Sequence, residues 1–106
     1  MTINDLRTEL RANNIKETSC LIFPTIAIEG VLCLLKTEDG RYQVIFNDRG
    51  DFMINETLQS EHEACRFVLK EALSNPVNRK DFKQSDLYTW KAKRSELMAK
   101  YGFEEK

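Results

Sequence analysis

A chain of 106 residues, 42% hydrophobic and 31% charged, has the size of one domain with a modest core and no room for two lobes with a cleft between them. Two prolines and four glycines leave little material for a disordered linker, so residues 1–106 are expected to fold as a single α+β unit. The formal charge of −1 lacks the positive bias of a chain built to grip phosphates. It hides an asymmetry, because residues 1–75 hold eight Lys/Arg and twelve Asp/Glu while residues 76–106 hold eight and five.

Ile3, Leu6 and Leu10 recur at helical spacing behind Thr2 or Asn4 as a cap, and Asn13-Asn14 is a stop, which predicts a short amphipathic helix. Ser19 to Ile28 is apolar and β-branched, but Pro24 lacks a ladder donor, so an edge or interrupted strand is expected. Val31 to Leu35 is apolar on both parities, as in a strand covered on both faces. Thr37-Glu38-Asp39-Gly40 then turns the chain back.

Tyr42, Val44 and Phe46 alternate with polar or outward positions, and so do Phe52 and Ile54. Between them Asn47-Asp48-Arg49-Gly50-Asp51 has the residues of a hairpin turn. These strands form an antiparallel meander of three strands, or four if Ser19 to Ile28 joins it. Ser60 stands three residues before Glu63, the spacing of a capping box, and opens a helix whose apolar stripe holds Ala64, Cys65, Phe67, Val68, Leu69, Ala72 and Leu73. Asn75-Pro76 ends it. After a polar connection, Ser85-Asp86 can cap a last helix with Leu87, Trp90, Leu97 and Tyr101 on one side and Gly102 at its end. The predicted core comprises Leu6, Leu10, Cys33, Leu35, Tyr42, Val44, Phe46, Phe52, Ile54, Ala64, Phe67, Val68 and Leu69, with two C-terminal helices packed on the sheet.

Catalytic chemistry finds little to stand on. The single histidine, His62, falls at an exposed helix start, and the one thiol within helical reach, Cys65, lies in the apolar stripe where ionisation is disfavoured. One histidine and three scattered cysteines lack metal-ligand spacing. No Gly-rich phosphate loop precedes a helix. No enzyme activity, metal or cofactor is therefore expected. Three cysteines, an odd number in apolar settings, point to reduced thiols, and no apolar run approaches the roughly 20 residues that span a bilayer. The N-terminus lacks the pattern of a secretory signal. A cytoplasmic protein without membrane contact is the expectation.

Charged residues collect near the turns, where they serve solubility or meet a partner. Glu38, Asp39, Glu56, Glu61 and Glu63 would share one end of the meander, and Asp48, Arg49 and Asp51 the other. Tyr88 and Trp90 with Lys91, Lys93 and Lys100 leave open a module that stacks on single-stranded nucleic acid.

The run Tyr42-Gln-Val-Ile-Phe-Asn-Asp-Arg-Gly-Asp-Phe, followed by Ser60-Glu-His-Glu-Ala-Cys-Arg-Phe-Val-Leu, resembles the small bacterial immunity proteins that neutralise polymorphic toxins, including those of contact-dependent growth inhibition. The likeness spans about residues 3 to 75, which leaves 77–106 as a helical extension. It implies a non-enzymatic antitoxin that binds the C-terminal domain of a cognate toxin, often a nuclease, in the cytosol. The two charged groups named above would then be its contact residues.

Overall fold

The computed structural model describes residues 1–103; the last three positions of the predicted 77–106 extension lie outside the described residues. The fold is α+β. Helix α1 (Ile3–Ala12) precedes β1 (Cys20–Ile22), β2 (Leu32–Lys36), β3 (Tyr42–Asp48) and β4 (Asp51–Leu58), and helices α2 (Glu61–Ser74) and α3 (Asp86–Tyr101) follow. Among the described residues no helix is long and apolar enough to cross a membrane.

The sheet runs β1-β2-β3-β4. β2, β3 and β4 form the expected antiparallel meander, whereas β1 joins as a fourth strand parallel to β2, with Cys20 opposite Leu32 and Ile22 opposite Leu34. The sheet is therefore mixed. Parallel neighbours need a crossover, and residues 23–31 supply it. Pro24 follows Phe23, which takes φ 56, and the strand expected to reach Ile28 stops at Ile22.

Helices α1 and α2 cover one face of the sheet. There Leu6 and Leu10 of α1, Leu32, Leu34 and Val44 of the sheet, and Ala64, Cys65, Val68, Leu69, Ala72 and Leu73 of α2 form a single buried cluster. On the other face Cys33 and Ile45, opposite each other in register, are buried but stand outside that cluster.

Both early helices are capped by short polar side chains. Thr2 accepts from the Asp5 amide while Asp5 accepts from the Thr2 amide, a complete capping box, and Ser60 accepts from the Glu63 amide. The reciprocal half of the Ser60 box is replaced by a tertiary bond: Glu61 Oε1 accepts from the Ile3 amide at 3.1 Å, tying the start of α2 to α1. α3 begins differently from expectation. Ser85 makes no cap bond and lies in the helical region, and Asp86 Oδ2 accepts from the Lys83 amide at 2.8 Å instead.

The C-terminal helix is built into the core through Leu97 and Met98, both buried, while Leu87, expected on its inner side, is exposed. Gly102 ends it at φ 72, and the Phe103 amide donates to Met98 C=O at 2.8 Å, the six-residue closure that satisfies the last carbonyls. The connection before it is stitched to the front of the chain: the Lys16 amide donates to Asn78 C=O at 2.7 Å and the Lys80 amide to Asn14 C=O at 2.8 Å. Buried Asn13 donates to Tyr101 Oη at 2.8 Å, and that hydroxyl donates to Glu9.

Candidate interaction surface

Phe52 corrects the predicted core. β3 and β4 keep simple alternation from Tyr42 opposite Leu58 to Phe46 opposite Ile54, and then the register slips so that Asn47 faces Phe52. Met53 is the extra residue of a β-bulge, which reverses the parity of everything toward the turn. Phe52 thus leaves the helix-covered face that Ile54 occupies and is 61% exposed, with Met53 beside it at 65%.

The crossover adds more apolar surface nearby. The Gly30 amide donates to Asn47 C=O at 2.8 Å, and the Gly50 amide donates to Glu29 Oε1 at 3.2 Å. These two bonds lash the end of the crossover to the hairpin. Phe23, Ile28 and Ile26, the last at 71%, are exposed along it. Ile28 stands two residues before the tie to Asn47, whereas Phe23 lies at the opposite end of the sheet beside Leu34; apolar side chains left in water near one another mark a contact surface more often than scattered single ones do.

Several unfavourable features coincide with this region. Arg49, at the hairpin tip, adopts φ 53, a conformation that costs a residue with a β-carbon about 1–2 kcal/mol. Asn47 Oδ1 is buried without a hydrogen-bond partner, and the bulge interrupts the ladder. Strain and unpaired polar groups tend to gather where a surface is kept for use and not for stability.

The charged candidates divide as the strand order requires. Asp48, Arg49 and Asp51 sit at the hairpin tip, all exposed, with Glu29 brought in by the crossover. Three carboxylates and one guanidinium thus border Phe52 and Met53. At the opposite end, the Tyr42–Leu58 pair places the 37–41 turn next to the approach to α2. Glu38, Glu56 and Glu63 are exposed there. Asp39 is tied into its own turn: the Thr37 hydroxyl and then the Arg41 side chain, at 2.9 Å, hold its carboxyl below the usual range. Glu61 is half-buried against α1. Of the group at this end, Glu38, Glu56 and Glu63 are free to meet a partner, and Asp39 and Glu61 chiefly organise the fold.

The groups that could do chemistry are dispersed. His62 is exposed and its Nδ1 accepts from the Met1 amine. Cys65 is fully buried, and burial, with the nearby Glu61 carboxylate second, pushes its thiol up to about 11. Burial likewise pushes Cys20 up to about 12. Neither thiol is poised as a nucleophile at neutral pH. Among the described residues no group of three His, Cys, Asp or Glu could hold a metal ion.

Trp90 is half-buried: its indole N–H donates to Ser74 C=O at 3.1 Å and the Arg79 guanidinium lies 5.9 Å from its ring. That leaves Tyr88 as the exposed aromatic beside Lys91 and Lys93. The groove next to Trp90 mixes Arg79, Lys83 and Lys93 with Asp81, Asp86 and Glu96.

Phe23, Ile26, Ile28 and Met53 escape sequence reading because apolar residues in short β-branched runs look like core. Only Pro24, which breaks the strand, marks the residues after it as candidates for the surface. No family model, curated protein or solved structure matches this chain.

Proposed function

We propose that the chain is an immunity protein that docks onto a cognate bacterial toxin domain, with a nuclease as the expected class, and neutralises it in the cytosol without chemistry of its own. The observation that carries this reading is the apolar cluster around Phe52 and Met53, framed by Asp48, Arg49, Asp51 and Glu29. Such a surface combines exposed apolar anchors, which a partner would desolvate, with a charged rim, the anatomy of a protein interface. The rim is acidic on balance, which suits the basic surface of an enzyme that handles nucleic acid. The resemblance to immunity proteins supports the identity of the partner, since the Asp-Arg-Gly turn that carries it is the turn bordered by these anchors.

The test pairs the chain with a candidate toxin domain, the C-terminal domain of a secreted effector sought in the neighbouring open reading frames. Phe52→Ser with Met53→Ser is expected to weaken binding by roughly 30-fold or more, the scale of a lost hot spot, and to abolish protection of cells expressing the toxin. Because both side chains are exposed, the thermal midpoint should stay within the usual small range of surface substitutions. Full binding and full protection by the double variant would overturn this assignment.

A further inference from the structure

The sheet ends in two edge strands of opposite character, β1 with Cys20 buried and Ile22 half-buried and β4 largely exposed. Along β1 the Phe23 amide donates to Leu34 C=O at 2.8 Å, in register with Ile22 opposite Leu34. In a parallel ladder this turns the backbone groups of Leu21 and Phe23 toward β2 and leaves those of Cys20 and Ile22 pointing out of the sheet. The β4 edge, by contrast, carries Asp51, Glu56 and the bulge at Met53, which are ordinary devices against unwanted pairing.

Beside the β1 edge lies a cavity of about 320 Å³, walled by Cys20, Leu21 and Ile22 on one side and by Arg7, Arg11 and Lys16 on the other. Arg7 and Arg11 are one helical turn apart on α1, so they project together, and buried Leu6 and Leu10 fix that face of the helix against the core. None of the three cations belongs to an ion pair among the described residues. The lining holds a single carboxylate, Glu17, so this recess is cationic on a chain whose formal charge is −1.

We propose that the β1 edge receives an extended acidic peptide segment by strand addition, its backbone pairing with Cys20 and Ile22 and its carboxylates lying against Arg7, Arg11 and Lys16. Strand addition draws affinity from main-chain bonds and selectivity from the side chains of alternate residues. An edge of two outward residues offers few such bonds, so the cations contribute the larger share and set the preference for acidic segments. This proposal does not rest on the toxin reading: it concerns the opposite edge of the sheet and can fail or hold separately.

A fluorescein-labelled peptide alternating valine and glutamate, about seven residues long to outspan the edge at roughly 3.3 Å per residue, tests it by anisotropy at low salt on the full chain. Saturable binding is expected, together with slowed hydrogen exchange at the Cys20 and Ile22 amides. Arg7→Glu with Arg11→Glu, both at exposed positions, should weaken binding at least tenfold, as should N-methylation of alternate peptide amides, which leaves the peptide's charge intact. Equal binding of the N-methylated peptide would reduce the site to diffuse charge attraction and overturn strand addition. So would absence of binding, or protection appearing along β4 in place of β1.

Discussion

Arg49 occupies a position that asparagine or glycine usually fills. With φ 53 at Arg49 and 83 at Gly50, the two-residue loop between Asp48 and Asp51 has the type I′ form that matches the twist of a hairpin. The β-carbon of an arginine there is strained. Arg49→Gly relieves that strain, while the greater freedom of glycine in the unfolded chain takes part of the gain back. A net rise in stability of about 0.5–1 kcal/mol is expected, read as a higher urea midpoint at unchanged slope. A lower midpoint would mean that the guanidinium makes contacts within the fold that outweigh the strain. The turn itself was legible from Asp48, Gly50 and Asp51. The fate of Phe52 was not, because period-two counting assumes unbroken register and a bulge leaves no mark in hydrophobicity alone.

At the scale of elements, periodicity located three helices and the β2-β3-β4 meander, with cap spacing marking the starts of α1 and α2, because each is set by residues close in sequence. The parallel docking of β1 is different in kind. Its partner is set by how residues 23–31 lead the chain back to start β2 alongside β1, a tertiary outcome that local patterns do not encode. At the end of α3, Tyr101 packs against the core as its spacing predicts, and its hydroxyl also bridges Asn13 and Glu9, a tie between distant residues that spacing does not encode. Burial, and then the Glu9 carboxylate that accepts its proton, raise its pKa above the usual phenol value. Tyr101→Phe deletes that bridge and keeps the ring. Asn13 retains its bond to Glu9 C=O at 2.7 Å, so the expected loss is about 1–2 kcal/mol, measured by urea or thermal unfolding. A double variant with Asn13→Ala should lose less than the sum of the two single losses, as residues of one network do. Strict additivity would show that the α1–α3 tie does not act as a unit.

Across the whole molecule, charge and apolar surface are laid out so that rate and lifetime of a complex should be separable. The acidic groups at the hairpin tip and those at Glu38, Glu56 and Glu63 flank the sheet at its two ends, whereas Phe52 and Met53 offer exposed apolar anchors at one of them. Exposed charges act at distance, steer encounter and are screened within a Debye length of about 8 Å at physiological salt. Buried anchors act only after contact and govern escape. Glu38→Lys with Glu63→Lys should therefore slow association with the proposed toxin partner by several-fold to tenfold, most strongly at low salt, and leave dissociation nearly unchanged. Phe52→Ser should do the reverse, shortening the lifetime of the complex with an association rate close to that of the parent. Surface plasmon resonance over a series of salt concentrations distinguishes the two. If charge reversal altered only the dissociation rate, Glu38 and Glu63 would lie inside the contact and not around it, and the docking face would have to extend toward the start of α2.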